Sequence, residues 1–565
     1  MATQPLIING FDAGIADSPH KGFGLMKLVD IESFPGAVKV KHKMDSMFPT
    51  ALSTTFTADA STDICTITTG TLPLTGYPIL FTTTGSLPGG LDASPVIRFI
   101  IKLSATTFKV AASVADANAG TSIDITGAGT GVHTVETKNP AQINHIVKDE
   151  RTLTHFFQDS SGYVWYLEDG SNDALMFMIG NTPSNASGNG LALLLNSDST
   201  ATYLIMFRNA LIDIANVFET TNLESPVVTS GWKTMNTAAT TNNRHKALMA
   251  QDNIIYYTDG QYIGSIRELP NQVFDPATAT TYQFTSQALD LPLNEIAEDI
   301  EEFGTNLLVA GKTFNKIYPW DRVADSFNLP LTVPDKQIHR LKTIGGFVYI
   351  LAGALGNIYR TQGSYVDLFK KIPEHIENNT TPMTSAITWG GIESMNGNLL
   401  FGLSSNVTGN SGVYKLFPDG RLILDQQPST GSGNVTAILF KSGGSYYIGY
   451  NGGADIPLST LYDNGEGVVQ SSLYRVATKT EKATYSVLEM ITDRPATSGA
   501  VIVSYRTNTT GSFTTLATFT ADSSAETFKA DIGLTDIEQI QIQLEIDDGN
   551  SGNNDIVVSE IRLLP

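Results

Sequence analysis

The chain has 565 residues, more than one hydrophobic core normally organises, so several structural units are expected. Hydrophobic residues make up 41% and charged residues 16%; with 50 glycines and abundant Thr, Ser and Asn, this composition points to many short strands joined by tight turns. A formal net charge of −21 repels a phosphate backbone and excludes stable nucleic-acid binding, while a negative channel along which nucleic acid slides without adhering stays compatible with it.

The opening residues Met1 to Gly10 have no basic or apolar leader region, and no later stretch reaches the ~20 apolar residues that cross a bilayer. Synthesis in a cytoplasm without membrane insertion is therefore expected. Residues 1–52 read as an N-terminal arm able to complete a later repeat. From 53 to 137 Thr, Gly and Ala dominate and aromatics are sparse. Alternating runs at Asp63–Ile67, Pro78–Thr83, Val96–Leu103, Thr107–Ala111 and Ser122–Thr126 predict an inserted Ig-like β-sandwich. Cys65 lies in the first run; as the one cysteine it forms no internal disulfide, and it reads as a small buried hydrophobe.

Residues 138–469 carry a repeat. Aromatic and β-branched strands recur at Tyr163–Gly170, Thr202–Asn209, Asn253–Gly260, Asn306–Gly311, Phe347–Gly353, Asn398–Leu403 and Ser445–Gly452. Their spacing of roughly 40–50 residues is that of propeller repeats. Another short apolar strand often precedes each, as in Lys246–Asn253 and His339–Gly346, and a third often follows, as in Gly356–Arg360 and Gly412–Gly420. Strand, turn, strand is the pattern of a propeller blade, whose small sheet buries both faces only between neighbours. A seven-bladed β-propeller is the expectation, without WD or kelch signatures. Asp159–Trp165 echoes the sialidase-type Asp box.

From 470 to 565 the spacing changes, with strands near Tyr485–Ile491, Ala500–Arg506, Phe513–Ala517, Thr527–Ala530, Gln539–Ile546 and Ile556–Leu563. Ile540, Ile542, Leu544 and Ile546 alternate with Gln539, Gln541, Gln543 and Glu545, a strand with one wet face. This predicts a C-terminal β-sandwich or jelly roll, and so an all-β chain throughout.

Three groups of residues carry possible chemistry. His245, Glu298 and His339 each stand eight residues before the aligned strand of their repeats, a register that belongs to an innermost strand and so to the lining of a central channel. Glu295, Glu298, Asp299, Glu301 and Glu302 supply paired carboxylates of glycosidase type, although such runs usually form a solvated face. Asp547, Asp548, Asn550, Asn553, Asn554 and Asp555 gather hard oxygen donors in one loop, a calcium candidate centred on Asp547, Asp548, Asn550 and Asp555. Their spacing departs from the EF-hand, and such clusters are also ordinary turn formers. No nucleophile elbow, P-loop, dinucleotide fingerprint or zinc-protease motif is present, so neither enzymatic activity nor a cofactor is expected.

Phe11 to Val40 runs through a Gly-rich approach, a Val29-Asp30 step, then Pro35-Gly36 and a strand. This stretch resembles the opening of tailed-bacteriophage virion proteins. The insert is similar to a small module of phage structural proteins, on Thr84–Leu91, Thr107–Ala111 and Ile125–Val135. The resemblance implies a virion component from the tail, a nozzle, hub or connector that forms a homo-oligomeric ring with other tail proteins around an axial channel. Nozzle proteins of short-tailed phages have a similar architecture. A host-receptor or carbohydrate-binding tail protein that touches a surface glycan is the alternative, and a glycan-degrading enzyme comes third. The acidic balance predicts an axial channel too negative to hold DNA.

Overall fold

The computed structural model describes residues 3–15, 23–33, 35–41, 44–167, 177–178, 188–199, 201–208, 212–219, 233–235, 246–275, 278, 280–372, 387–404, 411–429, 434–441, 445–451, 453–457, 467–477, 482–508, 511–547 and 555–565. The chain is all-β, with 57% strand and 2% helix.

From residue 143 one four-stranded antiparallel sheet follows another. Their first strands are Ile143–Lys148, Gly188–Leu195, Ala247–Met249, Ala297–Phe303, Ile338–Ile344, Thr388–Met395 and Val435–Phe440, and the sheets are numbered first to seventh in that order. Each first strand touches that of the next sheet, and the seventh returns to the first, so the contacts run in a cycle. At the return, Gln142 bridges Asn451 and the Thr436 hydroxyl donates to the Ile143 carbonyl.

Burial follows position within each sheet. Second strands such as His155–Asp159, Ile255–Asp259 and Tyr446–Tyr450 are buried at every residue, because neighbouring sheets cover both faces. This explains their unbroken apolar runs in place of a two-residue alternation. The outer strand Val366–Lys371 of the fifth sheet is largely exposed. The aligned sequence runs fall on second strands in six sheets. In the first, Tyr163–Gly170 falls on the third strand, Val164–Leu167, and the second is His155–Asp159. Both strands there are aromatic and fully buried, so pattern alone does not separate them.

Between the sixth and seventh sheets the approach is close enough to require glycine. A Cβ on Gly390 would sit 1.8 Å from the Val435 carbonyl oxygen, and one on Gly402 would sit 2.1 Å from it. The chain's lack of side chains at these two points lets the sheets meet backbone to backbone.

The N-terminal arm threads several units. Met44–Ser46 pairs with Gly453–Pro457 as fourth strand of the seventh sheet. Phe23–Lys27 pairs in parallel with Leu422–Gln426 of the sixth sheet and antiparallel with Gly467–Ser471. That strand continues into Gln539–Asp547, Ala500–Arg506 and Thr514–Thr520, so one ten-stranded sheet runs from the sixth sheet into the C-terminal unit. A second sheet, Leu6–Ile8, Val558–Leu564, Ala483–Thr492 and Thr527–Ile537, packs against it over a shared apolar cluster that includes Phe11, Phe23, Leu488, Val503, Ile542 and Ile561.

Buried charges pin the arm down. Lys41 Nζ pairs with the fully buried Asp425, whose other oxygen accepts from Tyr446 at 2.6 Å, and Lys415 pairs with Glu32. Burial alone would raise the Asp425 carboxyl, but Lys41, Lys415 and these hydrogen bonds outweigh it and hold it below its ordinary value.

The insert departs from the expected Ig-like sandwich. Its six strands close into one barrel in the order Thr107–Ala111, Ile64–Ile67, Ser53–Asp59, His133–Thr137, Pro78–Thr83 and Arg98–Lys102. Strands this short form a single inner cluster around Phe56, Cys65, Phe81, Phe108 and Val135, and closure leaves no unpaired edge. The Cys65 thiol is buried and burial pushes its pKa up to about 12, which removes thiolate chemistry at neutral pH. The helix Val114–Ala119, capped by Ser113, and the strand Arg98–Lys102 join Met47, Phe48, Trp165, Ala437 and Tyr447 in a second cluster. The barrel therefore sits over the junction of the first and seventh sheets.

Candidate functional site

The first strands share one irregularity. Pairing with the second strand slips at the same place in the first, second, fourth, fifth, sixth and seventh sheets. The extra residues are Asn144, Asn189, Glu298, His339, Gly390 with Gly391, and Thr436. A β-bulge of this kind re-aims a side chain and bends its strand. Because first strands touch in cyclic order, these bulges form a collar at one level. Glu298 and His339, expected on an innermost strand, are both bulge residues. His245, the third residue at that sequence offset, lies outside the described residues.

Around Glu298 and His339 the groups are charged. Lys312 Nζ lies 3.0 Å from Glu298 Oε2. His339 sits half-buried beside Glu298, Lys312 and Arg340. Burial depresses its pKa below 6.5, the neighbouring Arg340 and Lys312 push the same way, and Glu298 opposes them. The imidazole is thus held neutral. Arg340 Nη1 donates to the His339 carbonyl at 2.8 Å.

One level deeper, ion pairs cross from sheet to sheet. Lys246 Nζ of the third lies 3.0 Å from Asp299 Oδ1 of the fourth, and Asp299 Oδ2 accepts the Leu341 amide of the fifth at 2.8 Å. Glu301 accepts the Thr343 amide at 2.9 Å. Lys342 of the fifth pairs with Glu393 of the sixth at 2.8 Å. Burial raises the Glu301 carboxyl against the pull of Lys246 and Lys342. Burial works against the Lys342 ammonium, yet Glu393 and Glu301 prevail and its pKa is raised.

The acidic run is therefore neither a solvated face nor a free carboxylate pair. Glu295 and Asp299 are fully buried. Glu295 accepts from the Tyr318 hydroxyl at 2.8 Å and from the Thr313 and Phe314 amides at 2.7 and 3.2 Å. Glu302 pairs with Arg322 at 2.7 Å and accepts the Gln251 amide of the third sheet. First strands of adjacent sheets are not hydrogen-bonded to each other, so carboxylates on one strand satisfy amides on the next. Lys246, Lys312 and Lys342 pair with Asp299, Glu298 and Glu393 and so neutralise part of the acidic charge here.

The C-terminal loop divides. Asp548, Asn550, Asn553 and Asn554 lie outside the described residues, and Asp547 ends the strand Gln539–Asp547. Asp555 holds a turn: its carboxylate accepts the Thr497 and Ser498 amides at 2.9 Å and the Thr497 hydroxyl at 2.9 Å. Burial raises the Asp555 carboxyl, but these bonds outweigh it and its pKa is lowered. Among the described residues, no three His, Cys, Asp or Glu side chains gather as a metal-binding group. Asp159, the Asp-box echo, works the same way, accepting the Ser161 and Tyr163 amides at 2.9 Å. Trp165 Nε1 donates to its second oxygen at 3.4 Å.

The sequence pattern missed the bulges, the Lys246, Lys342 and Glu393 partners, and the Lys41–Asp425 pair. The eight-residue offset held the signal for the bulges, since it recurs at Gly390 and at Ala437, next to Thr436.

No protein-family model and no curated protein matches the sequence. Solved structures of β-propellers are similar at low identity. YCF48 bound to D1 peptide shares 8% identity over 57% of this chain and 94% of that one, with a TM-score of 0.41. Virginiamycin B lyase from Staphylococcus aureus shares 12% over 57% and 98%, with a TM-score of 0.40. The Swd1 β-propeller domain from Myceliophteria thermophila shares 9% over 57% and 98%, with a TM-score of 0.40. These proteins have unrelated functions, and none of those functions transfers at such distances.

Proposed function

We propose that the protein is a structural subunit of a bacteriophage virion, a tail nozzle, hub or connector, built on a seven-bladed propeller joined to a C-terminal β-sandwich. The observation that carries this reading is the ten-stranded sheet that runs from the sixth sheet through Phe23–Lys27 into the C-terminal unit. A backbone-bonded join transmits force between two units, whereas a flexible linker lets them move independently. The phage-like arm supplies that joining strand, and the phage-like insert covers the junction between first and seventh sheets. Assembly as a homo-oligomeric ring with other tail proteins belongs to the same proposal, as does residence in the virion. The acidic run supports a non-enzymatic role, because its carboxylates are spent on amides and lysines of neighbouring sheets.

A host-glycan-binding role is the second reading. Tyr365, 63% exposed at the turn before the outer strand of the fifth sheet, is the kind of aromatic on which a sugar ring stacks. Mass spectrometry of purified particles tests the first reading: stoichiometric recovery supports it and absence from particles ends it. A glycan array with the full chain tests the second, and a signal that Tyr365→Ala abolishes is the expected result.

A further inference from the structure

Gln158 lies on the second strand of the first sheet and is fully buried, yet no protein group bonds its Oε1 or its Nε2. Its register is the one just past the bulge: His145 pairs with Gln158 as Gly190 pairs with Phe207, Asp299 with Ala310, Arg340 with Leu351 and Ala437 with Gly449. Apolar residues or glycine fill that place in the other four sheets, so the fold itself has no need of an amide there. Side chains alternate along the strand. Phe157 joins the cluster shared with the seventh sheet, while Phe156, together with Val164 opposite Gln158, packs on Leu191, Leu204 and Met206 of the second sheet. Gln158 therefore faces the second sheet. A buried amide left without partners is destabilising, and the large majority of buried polar side-chain atoms are bonded to protein or to ordered water.

We propose that an ordered water molecule is bound between the first and second sheets, where it bridges the Gln158 amide and the peptide groups of Asn189. A buried water needs roughly two to four polar partners. Gln158 offers both a donor and an acceptor. The bulge between Gly188 and Gly190 leaves the Asn189 backbone outside its own ladder, on the first strand that packs against the first sheet at the level of the collar. The strand Ile143–Lys148 carries no carboxylate, so nothing at this junction does what Asp299 and Glu301 do between the fourth and fifth sheets, where each accepts an amide of the next first strand. A water held by Gln158 is the neutral counterpart of those staples, able to donate to a carbonyl and accept from an amide without burying a charge. The site rests on neither functional reading of the whole chain.

A crystal structure of the full chain, at a resolution that shows ordered water, tests the site directly. Density for a water within about 3.2 Å of both the Gln158 amide and an Asn189 peptide group is the expected result. Gln158→Met keeps the length of the side chain and removes its polar atoms, so urea denaturation separates a hydrated amide from a dry one. With water bound, the variant takes away one of that water's partners and the urea midpoint falls; a dry amide would be relieved by Met and the midpoint would rise. Leu351→Met, at the equivalent place in the fifth sheet, reads the effect of Met alone, and Gln158→Met should lower the midpoint further than it does. A protein group on the amide in place of water, a map with no water there, or a midpoint that falls no further than in Leu351→Met would each overturn the site.

Discussion

Replacing Asp299 with Asn removes one charge and one acceptor without changing shape, at the point where three sheets meet. Asp299 is fully buried, lies 3.0 Å from Lys246 Nζ and accepts the Ile300 and Leu341 amides at 3.0 and 2.8 Å. Breaking a buried ion pair by removing one partner costs about 3–5 kcal/mol, since the other charge is left uncompensated. Lys246 is 24% exposed and partly reaches solvent, which places the ion-pair part at the lower end of that range. The Asn side chain keeps one carbonyl oxygen for two amides, and the amide left over adds about 1–3 kcal/mol. A total of about 4–6 kcal/mol follows for the propeller transition. Urea denaturation followed by tryptophan fluorescence reads it, because Trp165, Trp320 and Trp389 lie in these sheets. Lys246→Met in the Asp299→Asn background should cost much less than in the parent, with a coupling of about 1–3 kcal/mol. A loss below about 1 kcal/mol, or zero coupling, would refute the view that these acids staple adjacent sheets.

Gly390→Ala forces a Cβ against the Val435 carbonyl and should cost about 3 kcal/mol or more, read as a lowered urea midpoint; Gly397→Ala, at a turn with nothing within 4 Å, is the control for backbone strain alone. Asp425→Asn should flatten the acid limb of stability: the folded carboxyl is lowered from 3.8, so its contribution is present above 3.8 and disappears as pH falls through the folded value. His339→Gln acts in a different window. Its folded pKa lies below 6.5, so the unfolded chain takes up the proton first and stability falls as pH drops below 6.5. The variant should lose that slope in denaturation curves taken between pH 7 and pH 5.

The second strands were legible because a sheet covered on both faces needs unbroken apolar residues, as in Asn306–Gly311 and Phe347–Ala352. The first repeat misled because His155–Asp159 and Val164–Leu167 are equally buried, so nothing in hydrophobicity ranks one above the other. Barrel closure of the insert was illegible for a related reason: alternation fixes which face a residue takes, and it leaves open whether the last strand pairs with the first. The collar was half legible. Glu298 and His339 were found through their shared offset, yet a bulge leaves no mark of its own in a single sequence. The staples were misjudged because an acidic run looks the same whether its carboxylates meet water or the Leu341 and Thr343 amides of another sheet.

A cryo-EM map of the purified particle is the most direct test of the central proposal. The account predicts several copies arranged in a ring about the tail axis, each with its propeller and C-terminal sandwich joined rigidly through the strand Phe23–Lys27. A tail fully accounted for by other chains would contradict it, as would copies in which the sandwich swings independently of the propeller.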